Sequence, residues 1–208
     1  MIAQKLIETF GCFRETDVHP HCHEERGFLY HAIDGGTTEI ETLNFLSALV
    51  YSWKPSLVLE TGVYRGFGSI AIAAALKANG FGKVYSVEIV PERIEEARRH
   101  VEQFDPTLND HIEFVCGDSL ETIRNFDRGR FDFAFLDSET WLRGKEFALL
   151  QELGRFKPGA LAMFHDTSIH RRDSCADDNR ELTDYVAKLE TKGQLGFPFS
   201  RGFHVVAL

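Results

Sequence analysis

The 208-residue chain is poor in cysteine, with four, and in methionine and tryptophan, with two each. Cys12, Cys22, Cys116 and Cys175 are scattered and form no Cys-x-x-Cys pair. This excludes the disulfide framework of a small secreted domain and points to reduced thiols in a cytoplasmic protein. No apolar run approaches the ~20 residues of a membrane span. The longest, Ile70 to Leu76, is Ala-rich and stops at Lys77. The opening Met-Ile-Ala-Gln-Lys has no signal-peptide core, so no leader is expected. Positive charge is scarce too: 23 Lys and Arg face 32 Asp and Glu, a net charge of −9. Nucleic acid and anionic membrane want a basic face, so neither is expected as a partner. No repeat, low-complexity tract or interdomain linker interrupts the chain.

What is present suits one globular domain. Hydrophobic residues make up 43% of the chain and charged residues 26%, enough for a real core. Residues 1–37 are the least regular part. They hold a short helix at 2–10, a His-rich patch at His19–His23 and a glycine turn at Gly35-Gly36, and are read as an irregular N-terminal segment that can serve as a lid. Residues 38–208 form the main domain. Thr38-Glu39-Ile40-Glu41 has the form of a capping box. Ile40, Leu43, Leu46, Leu49, Val50 and Trp53 then recur at helical spacing until Lys54-Pro55.

Beyond that point apolar strands alternate with amphipathic helices. Strands are expected at 57–61, 84–89, 112–116, 131–137 and 160–165, and helices at 69–79, 91–104, 119–125, 139–156 and 177–192. Lys157-Pro158-Gly159 reads as a turn before the fifth strand. The tail folds back as two short strands about Ser200-Arg201-Gly202. Such alternation implies an α/β fold, a doubly wound and mostly parallel sheet with helices on both faces.

Ligands in such sheets bind beyond the carboxyl ends of the strands. Acidic residues end or follow all five: Glu60, Glu88, Asp118, Asp137 and Asp166, the last preceded by His165. A strand buried in a core has no need of them. After Glu60 come Gly62, Gly66 and Gly68, where a strand gives way to a helix and glycines let the backbone approach a ligand.

Two cofactor classes compete for this loop. Gly66-x-Gly68-x-x-Ala71, with Glu88 about 20 residues on, fits a dinucleotide fingerprint. That pattern starts several residues after the strand ends, and 208 residues leave no room for a second nucleotide-binding half. The frame Glu60-x-Gly62-x-x-x-Gly66 leads elsewhere. Val58-Leu-Glu-Thr-Gly-Val-Tyr-Arg-Gly-Phe-Gly68 resembles the first motif of class I S-adenosylmethionine-dependent methyltransferases. Val84-Tyr-Ser-Val-Glu88 resembles the second, Ile112-Glu-Phe-Val-Cys-Gly-Asp118 the third, and Phe131 to Asp137 and Lys157 to Asp166 the fourth and fifth strands. The motifs occur in the family's order over residues 38–208.

The resemblance implies a Rossmann-like seven-stranded sheet with its last strand antiparallel. It implies S-adenosylmethionine held by Glu60, Gly62, Tyr64, Gly66, Glu88 and Asp118, with Glu88 on both ribose hydroxyls and Asp118 facing the adenine. A ribose offers two donors and one carboxylate can accept both. Within the family, Glu60-Thr-Gly-Val-Tyr64-Arg-Gly-Phe is similar to small O-methyltransferases of the catechol, caffeoyl-CoA and cephalosporin-biosynthesis-like kinds. The implied activity is methylation of a small molecule, most simply on a hydroxyl oxygen. A homodimer is left open.

In these relatives a divalent cation binds adjacent hydroxyls of the substrate. Asp137 and Asp166 match two of its ligand positions and His165 is a candidate third; the donor set admits Mg or Mn. The chain departs from the catechol pattern twice, with Thr167 in place of an Asn and Thr140 in place of the catalytic Lys. Two readings of the corner stay open. Either Asp137, His165 and Asp166 hold a metal, or Asp137 serves the cofactor while His165 acts as a base. A buried structural His165 is a third. An NAD-dependent oxidoreductase and a non-catalytic methyltransferase-like binding protein are the competing functions. Cys12, His19, His21, Cys22 and His23 match no standard zinc spacing. His170-Arg171-Arg172-Asp173 stands where an acidic substrate could be met.

Overall fold

The computed structural model describes residues 2–16, 29–168, 177–197 and 201–208. Helix α1 (Ile2–Phe10) leads to a two-stranded antiparallel hairpin, β1 (Phe13–Thr16) and β2 (Leu29–Ala32), which the sequence does not announce. Helix α2 (Ile40–Trp53) then opens the alternating part. It comprises β3 (Leu57–Thr61), α3 (Phe67–Asn79), β4 (Lys83–Glu88), α4 (Pro91–Phe104), β5 (Ile112–Cys116), α5 (Ser119–Asn125), β6 (Phe131–Leu136), α6 (Thr140–Glu152) and β7 (Phe156–His165). Helix α7 (Asp177–Ala187) and strands β8 (Gly193–Phe197) and β9 (Phe203–Ala207) close the chain.

The seven-stranded sheet has the order β5-β4-β3-β6-β7-β9-β8. Five strands are parallel, and β9 inserts antiparallel between β7 and β8. Side chains alternate across the sheet. Val58, Phe133, Phe135 and Met163 pack into a core with α1, α2 and α3. Their neighbours Leu59, Ala134, Leu136 and Phe164 pack with Phe147 of α6 and Val186 of α7 on the other face. Helix α3 is apolar on nearly all sides because α2 covers what the sheet does not.

Most boundaries lie within two residues of expectation, and three differ by more. Helix α6 stops at Glu152 rather than 156, and α7 at Ala187 rather than 192. Strand β7 takes in Lys157-Pro158-Gly159, and its pairing with β6 jumps from Phe131↔Phe156 to Phe133↔Leu161. The strand absorbs the Pro and Gly as an irregularity rather than ending there. The capping box is also replaced. Glu39 is the N-cap of α2 and makes no side-chain cap bond, Thr38 turns to Asp137, and Glu41 accepts from His31.

Cys12 and Cys116 are free and exposed. The His19–His23 patch, Cys175 and His170–Asp173 lie outside the described residues. Among the described residues no helix is long and apolar enough to cross a membrane.

Candidate active site

Parallel order reverses at β3, which pairs with β4 on one side and β6 on the other. A cavity of about 470 Å³ opens beyond the carboxyl ends there. Glu60, Gly62, Tyr64, Glu88, Asp118, Asp137 and Asp166 all line it.

The glycine loop is shaped by close approach. Gly62 has φ 79°, and a Cβ on it would run into the Asp137 carbonyl and stand 2.6 Å from Ser138 Cα. Gly66 has φ 85° and is the N-cap of α3, where a Cβ would meet Ala97. Tyr64 also adopts a left-handed conformation, φ 49°, and its N–H donates to Glu88 Oε2 at 2.9 Å. The Val90 N–H donates to the other oxygen, Oε1, at 3.1 Å. Glu88 is thereby aimed by two backbone donors, with the Arg93 guanidinium 3.6 Å from Oε1, and its carboxylate still borders the cavity. Arg65, to which the sequence assigns no role, ties the loop down by ion pairs to Asp34 and Glu96.

Glu60 is buried, and its Oε2 accepts from Ser69 and from Ser86, the latter at 2.6 Å. Burial pushes its carboxyl up to about 7, against the pull of those two hydroxyls. Asp118 is exposed and caps α5, accepting from the Glu121 N–H at 2.9 Å.

The far wall is a closed ionic corner. His165 is fully buried and does not line the cavity. Its Nδ1 lies 2.8 Å from Asp137 Oδ1 and its Nε2 lies 2.8 Å from Glu39 Oε2. Burial alone would lower its pKa, but the charges of Asp137, Asp166 and Glu39 carry it up to about 10. At neutral pH it is an imidazolium that donates from both nitrogens. Both His165 nitrogens are thus engaged by carboxylates, which suits the buried structural role among the three readings the sequence leaves open. For Glu39, burial raises the pKa but His165 and Arg201 outweigh it, so the net shift is downward.

Two arginines complete the corner. Arg143 donates from Nη2 to Asp137 Oδ1 at 3.1 Å and from Nη1 to Asp166 Oδ2 at 3.0 Å. It also donates to the Ser138 carbonyl at 2.8 Å and the His165 carbonyl at 2.6 Å. Arg201 donates to both oxygens of Asp166, at 2.8 and 3.2 Å, and its backbone N–H to Glu39 Oε1 at 2.8 Å. Thr38 donates to Asp137 Oδ2 at 2.7 Å. Three carboxylates thus face two guanidiniums and one imidazolium, a balanced set in which buried charge is paired.

One ligand atom from each of Asp137, His165 and Asp166 falls within a 4.8 Å cluster, the spacing of a candidate metal site. Their environment does not fit a cation. Both His165 nitrogens are held by carboxylates, and the oxygens of Asp137 and Asp166 already accept from cationic groups or Thr38. Thr167, which stands in place of the catechol type's Asn, donates its N–H to the Gly202 carbonyl, and its hydroxyl meets His204 at 3.2 Å. It does not line the cavity.

Sequence reasoning missed Glu39, Arg143, Arg201 and Glu146. Glu146 is buried and accepts from Thr61 and Ser138, each at 2.9 Å, and from Ser119. It thereby ties together the ends of β3 and β6 and the start of α5. Burial raises its pKa. A signal did exist on α6: Arg143, Glu146, Phe147 and Leu150 are its buried residues, spaced as one apolar face.

A family profile described as a methyltransferase domain matches residues 59–167, about half of the chain. O-methyltransferase ankF of Aspergillus thermomutatus is 32% identical over 81 residues, 39% of this chain and 33% of that protein. A probable O-methyltransferase of Mycobacterium tuberculosis is 30% identical over 127 residues, 57% of this chain and 52% of that protein. The chain thus spans a third to about half the length of these curated relatives. The crystal structure of the O-methyltransferase from Bacillus cereus in complex with SAH superposes with a TM-score of 0.69 at 21% identity, over 84% of each chain. At that identity the likeness speaks for the fold.

Proposed function

Because the chain belongs to the class I methyltransferase-domain family, we propose that it transfers a methyl group from S-adenosylmethionine to a hydroxyl oxygen of a small molecule. The observation that carries this reading is one cavity with two unlike walls. One wall is the Glu60–Gly66 loop with Glu88 and Asp118, and the other is the ionic corner of Asp137, Arg143 and Asp166.

Glu88 is aimed to accept the ribose hydroxyls, while Gly62 and Gly66 let the loop pack against the Asp137–Ser138 backbone and Ala97. Glu60 offers the cationic cofactor a buried carboxylate. Asp118 stands toward the adenine end. The acceptor hydroxyl gives its proton to Asp137. Its oxygen forms the bond to the methyl carbon as the carbon–sulfur bond breaks, and the electron pair of that bond goes to sulfur. The sulfonium becomes a neutral thioether, so charge is lost at the donor as it is lost at the acceptor oxygen. His165 acts here as a positioning residue that holds Asp137.

Metal assistance is the second reading, favoured by the clustering of Asp137, His165 and Asp166. The prior engagement of their donor atoms weighs against it. The dinucleotide reading gains nothing from this cavity, since Gly68 abuts the Glu60 carboxylate. That approach serves packing, not phosphate.

The test has two arms. Calorimetry with S-adenosylmethionine, its demethylated product and NAD should show binding of the first two alone. A methyl-transfer assay across phenols, catechols and sugars, run with and without chelator, should yield methylated product with at least one class. NAD binding without S-adenosylmethionine binding would overturn the reading. Cofactor binding with no turnover on any class would favour a binding protein, in line with Thr140 in place of a catalytic Lys.

A further inference from the structure

We propose that the Arg143 guanidinium occupies the role of a divalent cation in this chain, bridging the strand-end carboxylates Asp137 and Asp166 and offering positive charge to the acceptor oxygen. The last part rests on the methyl-transfer reading; the bridging does not.

The geometry is that of a built-in cation. A guanidinium is planar, permanently charged, and presents its donors in a fixed fork that suits carboxylates. Arg143 uses this fork across two carboxylates, at 3.1 Å to Asp137 and 3.0 Å to Asp166. It is held from behind by the Ser138 and His165 carbonyls, so its plane is set before any substrate arrives. These bonds use four of the five guanidinium N–H groups. The remaining Nη2 donor belongs to a side chain that lines the cavity. Helix α6 delivers Arg143 on its buried face, one turn before Glu146 and Phe147.

The surroundings are matched to a monocation rather than to Mg²⁺ or Mn²⁺. Arg201 covers Asp166 from a second direction, and His165 covers Asp137. A divalent ion at this spot would face the two guanidiniums of Arg143 and Arg201, with no carboxylate oxygen left to it alone. Ca²⁺ and Mg²⁺ want several hard oxygen ligands, and Mg²⁺ wants near-octahedral space. Thr167, which turns to His204, supplies neither.

The consequence concerns the acceptor. A metal holds two adjacent hydroxyls by chelation, whereas one guanidinium N–H can hold one oxygen. The acceptor class that fits is a single acidic hydroxyl, and a vicinal pair brings no advantage.

Manganese binding tests the bridge without any need for turnover. The chelator-treated wild type, alone and with the demethylated cofactor product, is titrated with Mn²⁺ and followed by electron paramagnetic resonance. No uptake is expected below millimolar Mn²⁺. Arg143→Ala, or Arg143→Met to keep the aliphatic bulk, takes the bridging cation from both carboxylates while Arg201, His165 and Thr38 stay in place. It should gain one Mn²⁺ site at least tenfold tighter, which Asp166→Asn then removes. Wild-type uptake at micromolar Mn²⁺ that Asp166→Asn abolishes would overturn the proposal. So would a folded Arg143 variant, checked by circular dichroism, that gains no site. Loss of methyl transfer with the metal results unchanged would count against the reaction, not against the bridge.

Discussion

The Glu39 carboxylate and the His165 imidazole, 126 residues apart in sequence, meet at 2.8 Å with both side chains sealed from solvent. Glu39 is the N-cap of α2 and His165 the last residue of β7. The contact therefore fastens the start of α2 to the strand end next to Asp166. Through Asp137 on its other nitrogen, His165 also sets the β6 end of the cavity.

This pairing fixes a pH dependence of stability. The folded-state pKa of His165, about 10, lies above its ordinary value of 6.5. The stabilisation is fully present below about pH 6.5, declines as pH rises beyond that, and is gone above about pH 10. Urea unfolding across pH 6 to 10 should show that decline. In His165→Gln, which cannot carry the charge, the decline should be absent. That variant should also be less stable at pH 7 by about 3–5 kcal/mol, the range for breaking a buried pair by removing one partner. An unchanged unfolding midpoint would show that the imidazolium does not balance the three acids.

Glu60 makes a second, opposite prediction, for ligand affinity. With its pKa raised to about 7, Glu60 is largely protonated in the free protein below neutrality. S-Adenosylmethionine, with a sulfonium and an ammonium group, favours the carboxylate. Its affinity should rise as pH increases from 6 to 8, and binding should release protons near pH 7, seen as a buffer-dependent calorimetric heat. Glu60→Gln should flatten the profile. A wild-type profile equally flat would separate Glu60 from the cofactor.

The strand-end residues of the cavity were legible in the sequence because chain order and topology fix their position. Glu60, Glu88, Asp118, Asp137 and Asp166 reach one cavity for that reason. The ionic corner was not, because its decisive groups come from elsewhere. Arg143 and Glu146 lie within a helix, where charge ordinarily marks a solvated face, and Glu39 lies where a capping box was read. Arg201 arrives from the turn before β9. For His165 the sequence left metal-ligand, base and buried structural roles open. Only its contacts with Glu39 and Asp137 show that both nitrogens are spent.

Glu88 links loop shape to affinity. It accepts from the N–H groups of Tyr64 and Val90 and faces the cavity. Glu88→Ala should weaken binding of the demethylated cofactor by about 1–3 kcal/mol, the usual range for losing charge-assisted hydrogen bonds. It should also loosen the left-handed turn at Tyr64, raising amide exchange at residues 62–66. Calorimetric affinity equal to wild type would remove Glu88 from the ribose.

Gly62→Ala should uncouple the two halves of the site. Gly62 has φ 79°, a conformation that costs an L-residue roughly 1–2 kcal/mol. The added methyl would also press on the Asp137 carbonyl and Ser138 Cα. Asp137 can yield only by lengthening its N–H bond to the Thr61 carbonyl, now 3.0 Å, which joins the ends of β3 and β6. Its carboxylate would then shift against Arg143 and His165. The variant should lose stability by more than the backbone strain alone and should bind cofactor weakly, even though no ligand-contacting side chain is removed. Gly35→Ala is the control, since a methyl there meets nothing within 4 Å and φ is not left-handed. Chemical denaturation of both variants decides the matter. Equal stabilities would mean that the β3 and β6 ends can part without penalty, and the close approach at Gly62 would lose its structural meaning.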